Sequence, residues 1–378
     1  MAEEENKEPI VPKKKTSWFS RIFLGLNWFA ISGLLLACLA PYVSPAVFWP
    51  LAFFGLVHPV FVLLNFLFFL WWAIRKKRQV FYSLIVLLCS IPGDRKEFRI
   101  DFSTPVKARG VIVMSYNVKL FDLYNWTGNK QTRNKMFTML KENPADIVSL
   151  QEFFNQDSGT FRNLDSLKRL LQLPYAHAEY TITLHKTDHW GVVTFTKYPI
   201  INSGKIVFNN RNNNICIYTD MLINGDTVRV YNMHLQSISF GYADYKFLNQ
   251  VSSGEDADSE VESSKNILRR MKRAYIKRAR QAESIAEHIA ACHYPVIVCG
   301  DFNDTPVSYA YKTISEGLQD AFLEKGSGLG KSFVNPLPFP RIDYILHSPA
   351  FHAIDFHVIR DENLSDHYPV VSKLLMSK

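Results

Sequence analysis

The segment Gly110-Val-Ile-Val-Met-Ser-Tyr-Asn117 is the stretch from which the fold of the larger part of the chain can be worked out. Its β-branched residues predict a buried strand that ends at a polar side chain. Asp146-Ile-Val-Ser-Leu-Gln-Glu152 is a second such strand and ends in an acid. Further strands are predicted over 192–196, 215–223, 227–235, 295–299, 342–346 and 369–374, and helices over 130–142, 161–171 and 263–291. Strict βα alternation is missing, which favours packed mixed sheets over one doubly wound parallel sheet.

The composition changes abruptly along the 378 residues. From Trp18 to Ile91 the chain is almost wholly apolar, whereas from Asp94 onward it has the charges and turns of a soluble domain. That remainder is long enough to bury a full core. We therefore predict an N-terminal tail over 1–17, a transmembrane segment of two or three helices over 18–92, a linker over 93–108 and a soluble domain over 109–378.

The chain is basic, with a formal net charge of +8 and a sequence pI of about 9.1. A basic balance favours anionic partners such as phospholipid surfaces, nucleic acid and phosphorylated small molecules, and chooses among none of them. The five cysteines show no CxxC spacing, and two of them lie in the apolar segment. We expect buried thiols.

Two long apolar runs precede the soluble part. Ile22 to Ala40 carries no charge, and Val47 to Ile74 is a longer run that His58-Pro59 is expected to kink. Each can span a hydrocarbon core of roughly 30 Å at about 1.5 Å per residue. The first run is too long, and the second follows too soon, for a cleaved signal peptide. Two membrane spans are therefore predicted.

A third apolar run, Val80 to Ile91, is short for a span of its own and follows the basic cluster Arg75–Arg78. Two preceding spans bring this cluster to the same side as Lys13–Lys15 and Arg21, and the positive-inside rule makes that side cytoplasmic. If the third run is interfacial or re-entrant, the soluble domain stays inside. If it crosses, which its position beside the basic cluster favours, the domain is extracytoplasmic, on the periplasmic side of a multi-pass membrane protein.

Polar side chains stand at the ends of several predicted strands. A packed sheet brings strand ends together, and carboxylates gathered there repel one another unless a cation lies among them. Singly, each has an ordinary explanation as a cap, a turn or a satisfied core histidine, but an acid inside an apolar strand is costly unless it is paired or bound. Together they favour a hard cation such as Mg²⁺, which would neutralise a phosphate and help to ionise a water. The residues are Asn117, Glu152, His234, Asp301, Asn303, Asp343, Asp366 and His367.

Six segments, in order, resemble the motifs of the endonuclease/exonuclease/phosphatase superfamily, which includes pancreatic deoxyribonuclease, AP endonucleases, inositol-polyphosphate 5-phosphatases and neutral sphingomyelinases. The resemblance covers roughly Arg109 to Leu375. It implies an α/β fold, a four-layer sandwich of two mixed β-sheets face to face with helices outside, here preceded by the transmembrane helical segment. The segments are Ser115-Tyr-Asn117, Leu150-Gln-Glu152, Asn232-Met-His-Leu235, Gly300-Asp-Phe-Asn-Asp304, Arg341-Ile-Asp-Tyr-Ile-Leu346 and Ser365-Asp-His-Tyr-Pro369.

The resemblance implies a metal site. Glu152 is the expected main ligand of Mg²⁺, with Mn²⁺ as the alternative ion, and Asn117 and Asp366 are expected close to the metal or the phosphate. Some nuclease members carry an acid two residues after the first asparagine, where this chain has Lys119. That departure argues against a close relation to the AP endonucleases. His189, before the glycine-led strand that starts at Trp190, is a further candidate to line the site.

The resemblance also implies acid–base roles. Asp301 is expected to orient and deprotonate the attacking water, and Asn303 to donate to the phosphoryl oxygens. His367, paired with Asp343, is expected at the scissile phosphate, and His234 at the leaving group. Which histidine is the acid and which the stabiliser stays open at this stage.

An unusual insertion lies between the third and fourth motifs. An acidic tract over 255–262 precedes a stretch, Lys265 to Arg280, that carries eight basic residues and no acid. Apolar residues are threaded through it. The stretch is either a solvated helix face or a basic amphipathic helix that docks on anionic headgroups or a polyanionic substrate.

These features together predict a membrane-anchored, Mg²⁺-dependent phosphodiesterase that hydrolyses a lipid headgroup or lipid-linked phosphodiester by in-line attack of water. A membrane anchor confines the site to a surface rich in such esters. The arrangement also resembles bacterial relatives of the proteins that remodel the lipid of glycosylphosphatidylinositol anchors. A DNA or RNA nuclease is the alternative. A catalytically inactive, membrane-bound binding module is the alternative of another class, and retention of every expected site residue counts against it.

Overall fold

The structure, a computed structural model, describes residues 18–101, 108–208, 214–238, 260–334, 341–360 and 363–377. Within 260–264 only the backbone is described. The tail over 1–17 with Lys13–Lys15, and the acids Glu255, Asp256 and Asp258 of the insertion, lie outside these residues.

The apolar N-terminal part is helical. It contains α1 (Trp18–Leu39) with a 3-10 turn (Ala40–Tyr42), α2 (Pro45–Phe48), α3 (Pro50–Leu56), α4 (His58–Ile74) and α5 (Val80–Glu97). By length and composition, the helix over Trp18–Tyr42 can cross a membrane, and α3 with α4 form a second candidate bent by 64°. The predicted kink at His58-Pro59 is therefore confirmed. Proline is favoured in the first turn of a helix, and a new helix begins at His58, with Pro59 in its first turn.

The third apolar run belongs to α5, which continues through Pro92 to Glu97 and so enters the predicted linker. α5 packs along both α1 and α4. At one end of this bundle, Asn27 Nδ2 donates to Ser83 Oγ over 2.8 Å, and Trp72 Nε1 donates to Asn27 Oδ1 over 2.9 Å. At the other end, His58 Nδ1 lies 3.2 Å from Glu97 Oε2. α1 and α5 therefore run in the same direction, and α4 runs against them.

Within the described residues, twelve strands form two six-stranded mixed sheets. The strands are β1 (Val111–Asn117), β2 (Ile147–Gln156), β3 (Tyr175–Leu184), β4 (Asp188–Thr196), β5 (Ile200–Ile206), β6 (Ile215–Ile223), β7 (Asp226–His234), β8 (Val296–Asp301), β9 (Gln319–Asp320), β10 (Asp343–His347), β11 (Phe351–Val358) and β12 (Val370–Met376). Sheet A has the order β11-β12-β1-β2-β4-β3, and sheet B has the order β5-β6-β7-β8-β10-β9. Only the β1–β2 and β7–β8 pairs are parallel among the pairings of these twelve strands.

Helices cover the outer face of each sheet. α6 (Thr132–Glu142) and α7 (Asn163–Leu171) pack on sheet A, while α8 (Glu260–Ala290) and α9 (Tyr309–Ile314) pack on sheet B. α10 (Ala321–Lys325) packs against β11 and contributes to the core between the sheets. That core joins side chains of both sheets, for example Val113 of β1 with Val230 of β7. The predicted four-layer sandwich of two mixed sheets is confirmed.

The N-terminal helices rest on the soluble domain near the end of β8. A Cβ added at Gly55 would lie 2.9 Å from the carbonyl oxygen of Val307, so this contact needs a glycine. Ser44 Oγ donates to Glu283 of α8 over 3.0 Å, and Arg341 Nη2 donates to the carbonyl of Lys96 over 2.9 Å. The bundle therefore approaches the loop that begins directly after β8.

The basic stretch of α8 is partly buried, and its charges divide into two groups. Arg278 is only 1% exposed and forms a 2.7 Å ion pair with Asp304, next to the end of β8. Lys272 is exposed and lies over the Trp49 ring at 5.8 Å. α8 is therefore not a wholly solvent-exposed helix, and its basic residues are not all available to bind a membrane surface. Arg278 is buried and stabilises the domain instead.

Candidate active site

The candidate site lies where strands of the two sheets end side by side. In sheet B, Asp301 pairs with His234 of the parallel neighbour and with Asp343 of the antiparallel neighbour. In sheet A, Asn117 is the last residue of β1, and Glu152 lies on β2 beside it. The pairing of strands within the two sheets thus brings residues that are distant in sequence together into one cluster.

Asp301 lies at the centre of the cluster and is 1% exposed. Its Oδ2 accepts from Asn117 Nδ2 over 3.0 Å and from Asn303 Nδ2 over 3.1 Å, and its Oδ1 accepts from the Asn303 backbone N–H over 2.8 Å. Asn303 has a φ of 54°, a left-handed conformation that asparagine adopts more readily than most residues. Three donors therefore hold the carboxylate in one orientation.

Both candidate histidines face Asp301. The Nε2 atoms of His234 and His367 each lie 3.7 Å from Asp301 Oδ2, and His234 Nε2 also lies 3.5 Å from Glu152 Oε1. His234 Nε2 is buried and has no hydrogen-bond partner among the described residues. A buried polar atom without a partner costs about 1–3 kcal/mol. This nitrogen is therefore directed at a position that a ligand group can occupy.

Glu152 owes its direction to a β-bulge. The register between β2 and β4 shifts between Leu150 and Phe153, and Glu152 has a φ of 47°. Opposite the bulge, a Cβ at Gly191 would lie 1.9 Å from the carbonyl oxygen of Glu179, so only glycine fits. Bulges re-aim side chains next to active sites. The Glu152 carboxylate consequently lies 3.3 Å from Asn117 Nδ2 and stays one-third exposed.

His367 and Asp343 form a buried pair at 2.9 Å. Burial acts to lower the pKa of His367, but the charges of Asp343 and Asp301 outweigh it and raise the pKa to about 10. Burial raises the pKa of Asp343, against the opposing effect of His367. Asp343 Oδ1 is a second buried atom without a partner in the described part of the chain. Nδ1 of His367 is engaged by Asp343, so Nε2 is left to face the cluster.

Asp366 lies at the edge of the cluster. Its carboxylate pairs with Lys119 Nζ at 2.9 Å. Burial acts to raise the pKa of Asp366, but His367 and Lys119 outweigh it, and the pKa is lowered. Lys119 begins a run of left-handed residues, with φ values of 42°, 54°, 56° and 58° over 119–122. Strain of this kind gathers at functional sites, and here it turns the ammonium toward Asp366.

The donor set fits a divalent cation. Asp301, Asp343 and His367 each offer a ligand atom, and these atoms lie within 4.8 Å of one another. Glu152 adds a further carboxylate oxygen 3.3 Å from Asn117 Nδ2. Asn117 turns this amide nitrogen toward Asp301, and its Oδ1 accepts from the Lys119 backbone N–H over 3.1 Å. Carboxylates this close repel unless a cation or a proton lies among them.

Seven of the eight sequence-predicted residues are therefore linked by contacts of 3.7 Å or less, and Asp366 adjoins them through Lys119 and Ser365. His189 contacts Asp157, Thr183 and Tyr180 instead. Three supporting residues were not foreseen. Gln151 donates to Asn232 across the two sheets over 2.7 Å, and Ser332 Oγ accepts from the Asp343 N–H over 3.1 Å. Gln151 and Asn232 lie inside two of the six motifs, whereas no motif in the sequence indicates a role for Ser332.

Comparison with known proteins matches both parts of the chain. The sequence model described as Endonuclease/Exonuclease/phosphatase family matches residues 114–367, and one described as Domain of unknown function (DUF8431) matches residues 20–93. No curated protein matches the chain.

Solved structures with a similar fold include an endonuclease/exonuclease/phosphatase from Beutenbergia cavernae, at 18% identity and a TM-score of 0.49, over 71% of this chain and 72% of that one. Sphingomyelinase C from Streptomyces griseocarneus matches at 19% identity and a TM-score of 0.47, over 70% of this chain and 99% of that one. A mannosyl-6-phosphatase from Bacteroides thetaiotaomicron matches at 20% identity and a TM-score of 0.45, over 70% of this chain and 100% of that one.

The family match spans more than half of the chain and runs from β1 to His367, so it takes in all of the strands except β12 and every candidate site residue. The chain therefore belongs to the endonuclease/exonuclease/phosphatase family and is a hydrolase that acts on phosphoester bonds.

Proposed function

We propose that this protein is a membrane-anchored, Mg²⁺-dependent phosphodiesterase that hydrolyses a lipid headgroup or lipid-linked phosphodiester. The observation that carries the proposal is the environment of Asp301. This buried carboxylate is held by Asn117 and Asn303 and lies 3.7 Å from the Nε2 atoms of two histidines. A base, two imidazoles and amide donors around one point are what in-line attack on a phosphate ester requires.

We assign the metal to Glu152, Asn117 and Asp366, with Asp301 and Asp343 as further carboxylates of the same cluster. Mg²⁺ prefers oxygen ligands of this kind, and Mn²⁺ is the alternative ion. When bound, the ion supplies positive charge to the phosphate and lowers the pKa of a water.

The chain's own groups carry the proton transfers and the orientation. Asp301 orients the attacking water and accepts its proton. Asn303 Nδ2, which now donates to Asp301 and to the carbonyl of Leu235, is the donor for a phosphoryl oxygen. Asp343 holds Nδ1 of His367, so that Nε2 faces the phosphate, and His234 serves the leaving group. Nε2 of His367 is therefore a fixed group aimed at developing charge, whereas Asn303 Nδ2 exchanges one of its two present acceptors for the phosphoryl oxygen.

We infer that α1, α4 and α5 anchor the protein in a membrane as a multi-pass bundle. Large apolar side chains point outward from all three helices: Phe29 is 66% exposed, Leu63 57% and Ile85 60%. A water-soluble surface rarely exposes apolar area on this scale. The polar contacts of Asn27, Ser83 and Trp72 lie inside the bundle, as expected for helices packed in lipid.

The direction of α5 supports an extracytoplasmic domain. Arg75–Arg78 lie between α4 and α5, at the end of the bundle opposite to His58 and Glu97, where the soluble domain is attached. If the bundle crosses the membrane, the basic cluster and the domain lie on opposite sides. The positive-inside rule then assigns the cluster to the cytoplasm and the domain to the periplasmic side.

A lipid substrate is favoured by the position of the site relative to the bundle. Val307, four residues after Asn303, lies against Gly55 of α3. The loop beside the catalytic cluster therefore lies at the end of the membrane anchor. Confinement to a surface raises the effective concentration of headgroup esters and does little for a nucleic acid.

The test is turnover by the full-length protein reconstituted in vesicles of mixed phospholipids. We expect Mg²⁺-dependent headgroup release that Asp301→Asn abolishes. Plasmid nicking without headgroup release would replace the lipid enzyme by the nuclease. Failure to hydrolyse either substrate or a generic aryl phosphodiester, with folded protein and added Mg²⁺, would favour the inactive binding module.

A further inference from the structure

A second cluster of metal-ligating side chains lies in the N-terminal helices, outside the candidate active site. His58 begins α4, and Asp94 and Glu97 are in the last turn of α5. One ligand atom from each of the three lies within 4.8 Å of the others. His58 is 0% exposed and Glu97 is buried, whereas the Asp94 side chain is 35% exposed. The cluster is therefore enclosed around the imidazole and reaches solvent only on the side of Asp94.

The two nitrogens of His58 have different surroundings. Nδ1 lies 3.2 Å from Glu97 Oε2, a hydrogen bond that selects the tautomer with its proton on Nδ1. Nε2 is buried and has no hydrogen-bond partner in the described ranges. A carboxylate on one nitrogen with the other nitrogen left free is the arrangement by which proteins orient a metal-binding histidine.

Asp94 completes the geometry on the side of Nε2. Its Oδ2 accepts from Ser90 Oγ over 2.7 Å, and its Oδ1 lies 3.7 Å from His58 Nε2. That separation is too long for a hydrogen bond but suits two ligands, each about 2.0–2.2 Å from one ion. Cys38, in the neighbouring helix α1, interacts with the His58 side chain.

Charge also points to a cation. The cluster contains two carboxylates, which are negatively charged, and only one imidazole. No lysine or arginine within the structurally described chain forms an ion pair with Asp94 or Glu97. A protonated His58 would offset only one of the two negative charges. A dication offsets both, which matters because His58 and Glu97 are buried.

We propose that His58 Nε2 and Asp94 bind a transition-metal dication, with Glu97 orienting the imidazole and Cys38 beside it. The imidazole nitrogen and mixed donors select Zn²⁺ over Mg²⁺. A Cβ built at Gly93 would lie 3.2 Å from His58 Nε2 and 3.6 Å from Val307 Cγ2, so the absence of a side chain there keeps the approach open. The ion joins α4 to α5 next to the loop that follows Asn303.

The first test is the metal content of full-length protein, purified in detergent, equilibrated with Zn²⁺ and then dialysed against Mg²⁺ buffer. Wild type should retain about one zinc per chain, and so should Glu152→Gln, which alters only the candidate active site. His58→Asn should lose the zinc. The matched control is His347→Asn, because His347 is equally buried and has one carboxylate, Glu324, at 3.3 Å. Zinc-free wild type, or zinc retained by His58→Asn, overturns the proposal.

Cobalt substitution keeps the test decisive if His58→Asn does not fold. Co²⁺-loaded wild type should show the visible absorption of a four-coordinate site, weakened or lost in Asp94→Asn. A thiolate charge-transfer band that disappears in Cys38→Ser would make Cys38 a ligand. A spectrum of six-coordinate Co²⁺ only, or one unchanged by Asp94→Asn, contradicts the site.

Discussion

The side-chain amide of Asn117, at the end of β1 in sheet A, donates to the carboxylate of Asp301, at the end of β8 in sheet B, over 3.0 Å. The two residues are 184 positions apart in sequence. This hydrogen bond joins the two sheets at the candidate site, and the same amide lies 3.3 Å from Glu152. Asn117 therefore aligns the proposed base with the proposed metal ligand.

Replacing Asp301 by asparagine should abolish turnover while leaving the fold intact. The amide has nearly the same shape as the carboxylate but cannot accept a proton from water. We expect kcat to fall by about 10²–10⁴-fold, measured with a chromogenic phosphodiester and checked against the circular dichroism spectrum. Asp226→Asn, at the exposed first residue of β7, is the control and should be unchanged. Activity near the wild-type level in Asp301→Asn would exclude Asp301 as the base.

Removal of the metal should abolish turnover reversibly, and Glu152 should determine the affinity of the enzyme for Mg²⁺. Chelation is expected to abolish turnover, and Mg²⁺ to restore it. In Glu152→Gln the half-saturating Mg²⁺ concentration should rise by about tenfold or more, because a charged ligand becomes neutral. The exposed Glu142→Gln should titrate like wild type. Equal Mg²⁺ requirements in both variants would remove Glu152 from the metal site.

Reversing the charge at Lys119 should weaken substrate binding. Lys119 supplies a positive charge 2.9 Å from Asp366, at the edge of the cluster. A hydrogen bond to a charged group is worth about 1.5–3 kcal/mol, so KM should rise roughly tenfold or more in Lys119→Glu. Lys119→Met keeps the length of the side chain but removes its charge. It therefore distinguishes the effect of losing the positive charge from the effect of adding a negative charge next to the substrate phosphate. Steady-state kinetics in which KM does not move would limit Lys119 to a structural role.

Breaking the Arg278–Asp304 pair should destabilise the loop beside the site. Arg278 is buried, and its Nη1 lies 2.7 Å from Asp304 Oδ2. Removing one partner of a buried ion pair costs about 3–5 kcal/mol, because the other charge is left unpaired. Thermal unfolding of Arg278→Met should therefore show a clear loss, and Arg278→Met with Asp304→Leu should recover part of it. Losses that simply add in the double variant would show that the pair is uncoupled.

Opposite ends of the bundle should be labelled from opposite sides of the membrane. Lys186 lies in an exposed turn of the soluble domain, and Lys77 lies between α4 and α5. In intact cells, a membrane-impermeant maleimide should label Lys186→Cys but not Lys77→Cys, against the background of the native cysteines. After the membrane is made permeable, both should react. Labelling of Lys77→Cys alone in intact cells would reverse the proposed orientation.

Strongly apolar strands could be predicted, and weakly patterned ones could not. β1, β2 and β8 are buried along most of their length, so their β-branched runs stand out in the sequence. β3 and β5 were not predicted, since their side chains are mainly half-buried or exposed and include polar residues. Their conformation comes from hydrogen bonds to β4 and β6 rather than from their own pattern.

The candidate site likewise has features that could be predicted from the sequence and features that could not. Acids and histidines at strand ends, in six ordered motifs, were enough to name the eight candidate residues and the family. The sequence could not show that Lys119 pairs with Asp366, because that contact depends on a strained left-handed turn. Nor could it show that Ser332 supports Asp343, or that the apolar helices rest on the loop after β8.

Local residue pattern therefore determined the strands with buried faces, the apolar helices and the chemical types gathered for phosphoester hydrolysis. Those features follow from which side chains avoid water, and a one-dimensional pattern records that preference. Only the tertiary structure decided which strand ends meet, how Glu152 turns at its bulge and where the N-terminal helices contact the domain. Those features arise from register and packing between segments that are distant in sequence, as in the bond from Asn117 to Asp301.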